Sequence, residues 1–141
     1  MSRVTDTELA SDLIVQAARL MRAVRRELEL PAGMRVLSLL DEHGPLGITR
    51  LADLDRSAQP SMSGAVADLV ERGWVTKAPN PDDARATVVA LTDVGRAELD
   101  RIRRRYGEHI ATLVRDDPSL TTEDLRTAVA VLRALLQKGS S

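Results

Sequence analysis

The chain has 141 residues, a length typical of one compact domain, and its 43% hydrophobic residues suffice for a folded core. Phe is absent and Trp and Tyr occur once each, so this core must be aliphatic, a composition that suits helices. The lack of cysteine excludes disulfides, a thiol nucleophile and thiolate zinc sites, and the net charge of −1 excludes a uniformly basic nucleic-acid binder. No apolar run approaches the roughly 18 residues of a membrane span, and the N-terminus does not resemble a signal peptide. We therefore expect a cytoplasmic protein with no membrane partner.

Two helices are predicted at the start of the chain. Apolar residues recur every three or four positions over residues 9–28, which predicts an amphipathic helix of about five turns beginning near Thr5 or Asp6. A second helix is predicted from about residue 32 through residue 40, with a strong stop signal at Gly44-Pro45.

Two shorter helices follow a brief extended step at Gly47-Ile48. Thr49 is expected to cap the first of them, and Ser57 the second, which runs from about 58 to 72. Gly73 stands where a helix commonly closes in a left-handed residue. Two short helices joined by a few residues form a candidate helix-turn-helix.

A β-hairpin is predicted next. The β-favouring runs 74–78 and 87–91 flank a loop rich in Pro and Asp at 79–86, which indicates a hairpin with a long tip. A hairpin directly after a helix-turn-helix is a wing.

Two further helices end the chain. Thr92 is expected to cap a long helix that runs to about Arg115, and residues 116–118 interrupt it. The last helix is expected to begin with a capping box formed by Thr121 and Asp124.

The most specific motif lies in the predicted wing, where residues 81–95 read Pro-Asp-Asp-Ala-Arg-Ala-Thr-Val-Val-Ala-Leu-Thr-Asp-Val-Gly. This string resembles the wing signature of the MarR family, an Asp-x-Arg followed by a strand, Leu-Thr and Gly. Residues 69–75 resemble the end of that family's recognition helix. Together with the helix-turn-helix, the resemblance covers about residues 34–96, and the flanking helices match by pattern only.

The resemblance implies a winged helix-turn-helix fold, mainly α with a small β-hairpin wing, with N- and C-terminal dimerisation helices. We accordingly expect a single domain over residues 1–141. Its DNA-binding lobe is expected at about 34–96, and its dimerisation helices at 5–30 and 97–138. Two departures predict weaker or differently specified DNA binding. Ser63-Gly64 replaces the Thr-Arg or Ser-Arg frequent in the family, and Ala84 replaces a common wing arginine.

The start of the predicted recognition helix supplies candidate DNA contacts, because the N-terminal residues of such a helix reach base edges in the major groove. The candidates are Ser57, Gln59, Pro60, Ser61, Ser63 and Gly64. Gln59 can pair bidentately with adenine, and the free N–H groups of the helix start favour a phosphate. The alternative for each of these residues is an ordinary polar helix start.

In the wing, Arg85 is expected to enter a narrow minor groove. The resemblance implies that Asp83 holds its guanidinium and fixes the loop. The alternative is a solvated surface ion pair, which contributes little. Arg50 and Lys77 are the expected phosphate contacts.

The resemblance also implies a small aromatic or phenolic effector, held between the dimerisation helices and the DNA-binding lobe. The candidate pocket residues are Arg22, Met34, Leu37 and Arg105.

An enzyme is not expected, since His43 and His109 are the only histidines and neither has a nucleophile–base or metal-ligand spacing. We therefore expect no cofactor and no metal, a site of histidine with carboxylates being the weaker alternative. The function implied by the resemblance is a dimeric transcriptional repressor that binds a pseudo-palindromic operator in double-stranded DNA and is released by an effector. The alternative is a winged-helix module that binds protein without specific DNA binding, which the acidic balance of charge and the missing recognition-helix arginine favour.

Overall fold

The computed structural model describes residues 3–139 and is mainly helical with one small antiparallel sheet, as predicted. In chain order the elements are α1 (Asp6–Glu27), α2 (Met34–His43), β1 (Leu46–Gly47), α3 (Ile48–Asp55), α4 (Gln59–Glu71), β2 (Val75–Asn80), β3 (Asp83–Leu91), α5 (Asp93–Asp116) and α6 (Thr122–Gly139). The chain divides into two compact units, the first reaching Arg103 and the second beginning at Arg104. Over residues 3–139 no helix is both long and apolar enough to cross a membrane.

The core of the first unit is aliphatic apart from the thioether of Met62, as the composition predicts. Its fully buried side chains come from α2, α3, α4, the sheet and α5, and they are Leu37, Leu51, Met62, Leu69, Leu99, Ile102, Val66, Val75 and Val89. Burying one such side chain contributes about 1.5–3 kcal/mol relative to leaving it in water. This core therefore holds the helix-turn-helix, the hairpin and the start of α5 together as one body.

The sheet has the strand order β1-β3-β2, with β3 antiparallel to both neighbours. The predicted long hairpin tip is wrong, because the strands continue to a two-residue turn at 81–82 and Asn80 pairs with Asp83. The preceding pair is Pro79 with Thr87, so residues 84–86 have no partner in β2 and form a bulge. The bulge accommodates the residues that the sequence pattern assigned to a loop.

Three helix caps agree with their sequence signals. Thr5 and Glu8 form a capping box at the start of α1, and Thr121 and Asp124 form one at the start of α6. At α5, the Thr92 hydroxyl accepts the Gly95 N–H at 3.0 Å. These bonds join residues three positions apart, so they depend on local sequence alone.

The caps expected from Thr49 and Ser57 are wrong. Gly47 is the N-cap of α3, because the chain passes from β1 directly into the helix, and Thr49 is already helical. Ala58 is the N-cap of α4, while the Ser57 N–H donates to the Ala52 carbonyl and closes the end of α3. Ser57 therefore belongs to the turn, where its Oγ is buried without a hydrogen-bond partner among the described residues.

The first and last helices expose much of their apolar surface. In α1 only Val24 is buried, while Leu9, Ile14 and Leu20 are 57%, 66% and 50% exposed. In the second unit, α6 has no buried residue, and its Leu135 is 51% exposed. These helices carry more apolar surface than the single chain covers.

Candidate nucleic-acid interface

A groove of about 540 Å³ lies where the starts of α3 and α4 meet the bulge of β3. Its lining residues are Gly47, Ile48, Thr49, Arg50, Asp53, Gln59, Ser63, Arg85, Ala86 and Thr87. Four residues predicted from sequence as DNA contacts, Arg50, Gln59, Ser63 and Arg85, are brought together here from three separate segments of the chain.

The start of α4 forms one side of this groove. Met62, Val66 and Leu69 anchor the helix in the core, and this leaves the opposite face to solvent. The exposed residues of its first turns are Gln59, Pro60, Ser61, Ser63 and Gly64. Because the N-cap is an alanine without a side-chain hydrogen bond, the first N–H groups of the helix keep their partial positive charge for a ligand. Of the six candidates from this segment, Gln59 and Ser63 line the groove, whereas Ser57, Pro60, Ser61 and Gly64 do not.

The bulge of the wing presents Arg85. The Asp83 carboxylate accepts the backbone N–H of Arg85 at 3.0 Å, and the Asn80 side chain accepts the N–H of Asp82 at 2.9 Å. Among the ion pairs of residues 3–139, none involves Arg85. The prediction that Asp83 holds the guanidinium is therefore wrong, because its carboxylate holds the backbone of the bulge instead. The guanidinium of Arg85 remains available for a ligand.

The charge of the groove is mixed. Arg50 is exposed and, in the described part of the chain, forms no ion pair, while Asp53 adds a carboxylate to the same lining. Lys77 is exposed on β2 opposite Val89 and does not line the groove. Arg35 pairs with Asp55 at 2.5 Å, which neutralises the carboxylate at the end of α3. Any anion would therefore contact mainly Arg50, Arg85 and the start of α4.

Thr49 also lines the groove, although no sequence pattern predicts it there. Its Oγ1 accepts a hydrogen bond from Nε2 of Gln59 at 2.6 Å and so connects the two helices of the helix-turn-helix on their exposed side. The two residues are ten positions apart, and no local pattern signals their contact.

A carboxylate outside the groove ties α2 to α5. Asp41 accepts Arg96 Nη1 at 2.7 Å on one oxygen and Arg103 Nη1 at 2.9 Å on the other. These hydrogen bonds, that of Arg96 first, hold the pKa of Asp41 below its usual range, and the pKa of Arg96 is raised in turn by Asp41. The contact fixes α2 against the start of α5 within the first unit.

The four residues predicted for an effector pocket do not line one cavity. A cavity of about 250 Å³ lies beside the start of α2 and is lined by Arg25, Leu30, Pro31, Ala32, Gly33, Met34 and Arg35. Met34 is the member of the predicted set that lines it. Leu37 is fully buried in the core, Arg22 is exposed on α1, and Arg105 belongs to the second unit.

Known proteins are similar to this chain in sequence and in fold. The model of the MarR family matches residues 31–87. An uncharacterised HTH-type transcriptional regulator of Mycobacterium bovis is 34% identical, with 95% of this chain and 96% of the relative covered. The chain belongs to the MarR family. The fold agrees, since wild-type MarR of Escherichia coli in its apo form matches with a TM-score of 0.67 at 22% identity, over 96% of this chain and 99% of that one.

A mutant of MarR from Escherichia coli complexed with operator DNA also matches, with a TM-score of 0.58 at 25% identity over 94% of this chain and 91% of that one. Membership of the MarR family places this chain among helix-turn-helix transcriptional regulators. Of the described residues, no three His, Cys, Asp or Glu side chains form a group that could hold a metal ion.

Proposed function

We propose that this MarR-family protein is a homodimeric repressor that binds a pseudo-palindromic operator through α4 and the wing. The observation that carries the proposal is the groove in which Arg50, Arg85 and the uncapped start of α4 converge. The solved complex of a MarR mutant with operator DNA supports the assignment by similarity. In this function the protein acts in the cytoplasm, on the chromosome.

Each part of the groove suits a different part of the duplex. The major groove is about 12 Å wide and admits one helix, whose first residues reach base edges, so Gln59 and Ser63 are the proposed base contacts. The start of α4, Arg50 and Lys77 are proposed to contact phosphates. Arg85 extends from the bulge of the wing, and an arginine so placed suits the negative potential of a narrow minor groove.

The small residues of the interface have consequences for affinity. A Cβ at Gly64 would meet nothing within 4 Å, so the exposed backbone of α4 is open to close approach by DNA. With Arg50 and Lys77 as the charged phosphate contacts of each protomer, a dimer would neutralise about four phosphates. The logarithm of its affinity should then fall with a slope of about −4 against the logarithm of salt concentration.

The exposed apolar faces of α1 and α6 are the basis for proposing a homodimer. Leu9, Ile14 and Leu20 of α1 and Leu135 of α6 are each at least half exposed in the single chain. Because each is already about half covered, burial by a second copy would gain about half of the 1.5–3 kcal/mol of a fully exposed side chain, or about 0.8–1.5 kcal/mol each. Two-fold symmetry would also present two recognition helices to half-sites about one helical turn apart.

An effector is proposed to act at the cavity beside the start of α2. Its lining combines the apolar Leu30 and Met34 with Arg25, groups that suit an aromatic or phenolic anion. Such a ligand would release the operator only by binding more tightly to the form of the dimer that misfits DNA. We expect benzoate, as a simple aromatic anion, to lower operator affinity and Arg25→Ala to reduce that effect.

Fluorescence anisotropy with a duplex from the gene's own upstream region tests the function. The duplex and a scrambled control are titrated at two salt concentrations with wild type, Arg85→Ala and Arg101→Ala. Arg101 is a matched control, an exposed arginine of α5 that pairs with Glu98 and does not line the groove. Salt-dependent binding that prefers the upstream duplex, and that Arg85→Ala weakens while Arg101→Ala does not, supports the proposal.

The mixed charge of the groove, with Asp53 in its lining and a net charge of −1 for the chain, favours the second candidate, a winged-helix module that binds protein. Absence of duplex binding at low salt would favour this module over the repressor. Equal and weak binding to both duplexes, unchanged by Arg85→Ala, would likewise count against a specific operator contact.

A further inference from the structure

We propose that Thr49 is a positioning residue for base recognition, which holds the Gln59 carboxamide in the orientation that reads adenine. The inference rests on the proposed function and concerns how α4 chooses its sequence. It starts from the hydrogen bond between Gln59 Nε2 and Thr49 Oγ1, 2.6 Å long, which lies on the rim of the groove between α3 and α4.

The hydrogen-bonding capacity of the glutamine side chain determines what remains for a base. The amide nitrogen carries two hydrogens and the amide oxygen accepts. Once one hydrogen is donated to Thr49, one N–H and the oxygen Oε1 are left. One donor and one acceptor side by side are the set that matches N7 and the N6 amino group of adenine in the major groove. The bond to Thr49 therefore leaves intact the pair of groups needed for this contact.

The environment of the two residues explains why such a restraint matters. Gln59 and Thr49 are both exposed, and Gln59 is the first residue of α4, with an alanine before it and a proline after it. Within residues 3–139, the side chain of Gln59 makes one hydrogen bond, and its partner is Thr49. Without it, the long side chain would sample many rotamers, and ordering it on DNA would lower affinity by roughly 2- to 10-fold.

Two substitutions at position 49 separate this role from a structural one. Thr49→Val keeps the shape of the side chain and removes the acceptor, whereas Thr49→Ser keeps the acceptor. A bidentate contact discriminates between bases by about 5- to 150-fold. We expect Thr49→Val to lower the affinity for the adenine-containing duplex by roughly 2- to 10-fold and to leave the duplex with another base at that position unchanged. Thr49→Ser should retain the wild-type preference.

The experiment is selection from a pool of duplexes randomised over about 20 base pairs, two helical turns, followed by anisotropy on the selected duplex and its single-base variants. Wild type, Thr49→Val, Thr49→Ser, Gln59→Ala and the double variant Thr49→Val/Gln59→Ala are compared, with thermal melting as a check that each is folded. The expected result is an adenine preference at one position per half-site that weakens in Thr49→Val and is absent in Gln59→Ala. In the double variant, the change at Thr49 should have no further effect.

Three outcomes would overturn the inference. A Thr49→Val profile identical to that of wild type would show that the bond does not position the reading group, while the repressor function would stand. A Gln59→Ala profile that keeps the adenine preference would show that Gln59 does not read it. A wild-type selection without any sequence enrichment would overturn the proposed function together with this inference, and so differs from the first two.

Discussion

Replacement of Asp41 by asparagine tests how firmly α2 is tied to α5. The substitution preserves the size of the side chain and removes the charge that accepts from Arg96 and Arg103, at 2.7 and 2.9 Å. The aspartate side chain is 25% exposed, and those of the two arginines are 53% and 46% exposed. The arrangement is thus a partly screened ion pair of the surface, with two partners on one carboxylate.

The magnitude follows from that exposure. A solvent-exposed pair contributes about 0.2–1 kcal/mol, and the reduced exposure of Asp41 places each of its two pairs in the upper part of this range. We expect Asp41→Asn to lower the free energy of unfolding by about 1–2 kcal/mol, which corresponds to a decrease in Tm of about 3–8 °C for a chain of this size.

The assay is thermal unfolding followed by circular dichroism at a fixed protein concentration, at pH 7 and in steps to pH 3. The pKa of Asp41 is lower in the folded than in the unfolded state, so its stabilisation is complete above the unfolded value of about 3.9 and is lost as the pH falls through the folded value. The difference in Tm between wild type and Asp41→Asn should therefore be constant from pH 7 to about pH 5 and should decrease below about pH 4.

Glu123→Gln is the matched control, since its partner is a single arginine, Arg126, and the two side chains are 77% and 70% exposed. Its Tm should change by less than about 2 °C. A Tm of Asp41→Asn equal to that of wild type at pH 7 would refute the proposed stabilisation. It would also be refuted if the difference persisted undiminished at pH 3, because the loss would then not come from the charge.

The remaining predictions concern the joint between α4, the hairpin and α5. Gly95→Ala should destabilise the fold by about 3 kcal/mol or more, because a Cβ there would overlap the carbonyl oxygen of Trp74 and approach its carbon to 2.8 Å. Gly64→Ala should have the opposite effect and raise the free energy of unfolding in denaturant by about 1 kcal/mol. Gly64 lies in the middle of α4, where a Cβ would meet no neighbouring atom within 4 Å. Thr92→Val should lower the free energy of unfolding by about 1–2 kcal/mol, because the hydroxyl accepts the Gly95 N–H and donates to the Gly73 carbonyl at 2.6 Å. Thr92→Ser should retain most of that stability in the same measurement, and equal losses in both variants would contradict a role for the hydroxyl.

Local features of the fold were predictable because they depend on residues a few positions apart. The capping boxes of Thr5 and Thr121 use a glutamate and an aspartate three positions on. The end of α4 is followed by Gly73, whose φ of 77° is a conformation that glycine adopts without steric cost. The alternation of helices and the hairpin followed from periodicity in the same way.

Features that depend on distant chain segments were not predictable from local patterns. Thr49 and Ser57 are good capping residues by type, but β1 pairs with β3 and delivers the chain into α3 at Gly47. The closure of α3 then holds Ser57 in the turn. The hairpin tip was predicted too long for a related reason, since a bulge on one strand is a matter of register between two strands.

The amino-acid sequence by itself determined the helices, the wing, the aliphatic core and the types of residue available for DNA, because each is encoded in spacing or side-chain chemistry. Only the tertiary structure decided which of those residues meet. It placed Arg50, Gln59 and Arg85 around one groove and joined Gln59 to Thr49. It also brought Asp41 to two arginines that lie 55 and 62 positions away in the chain. Such contacts arise from the packing of a shared core, whose geometry no short segment of the sequence contains.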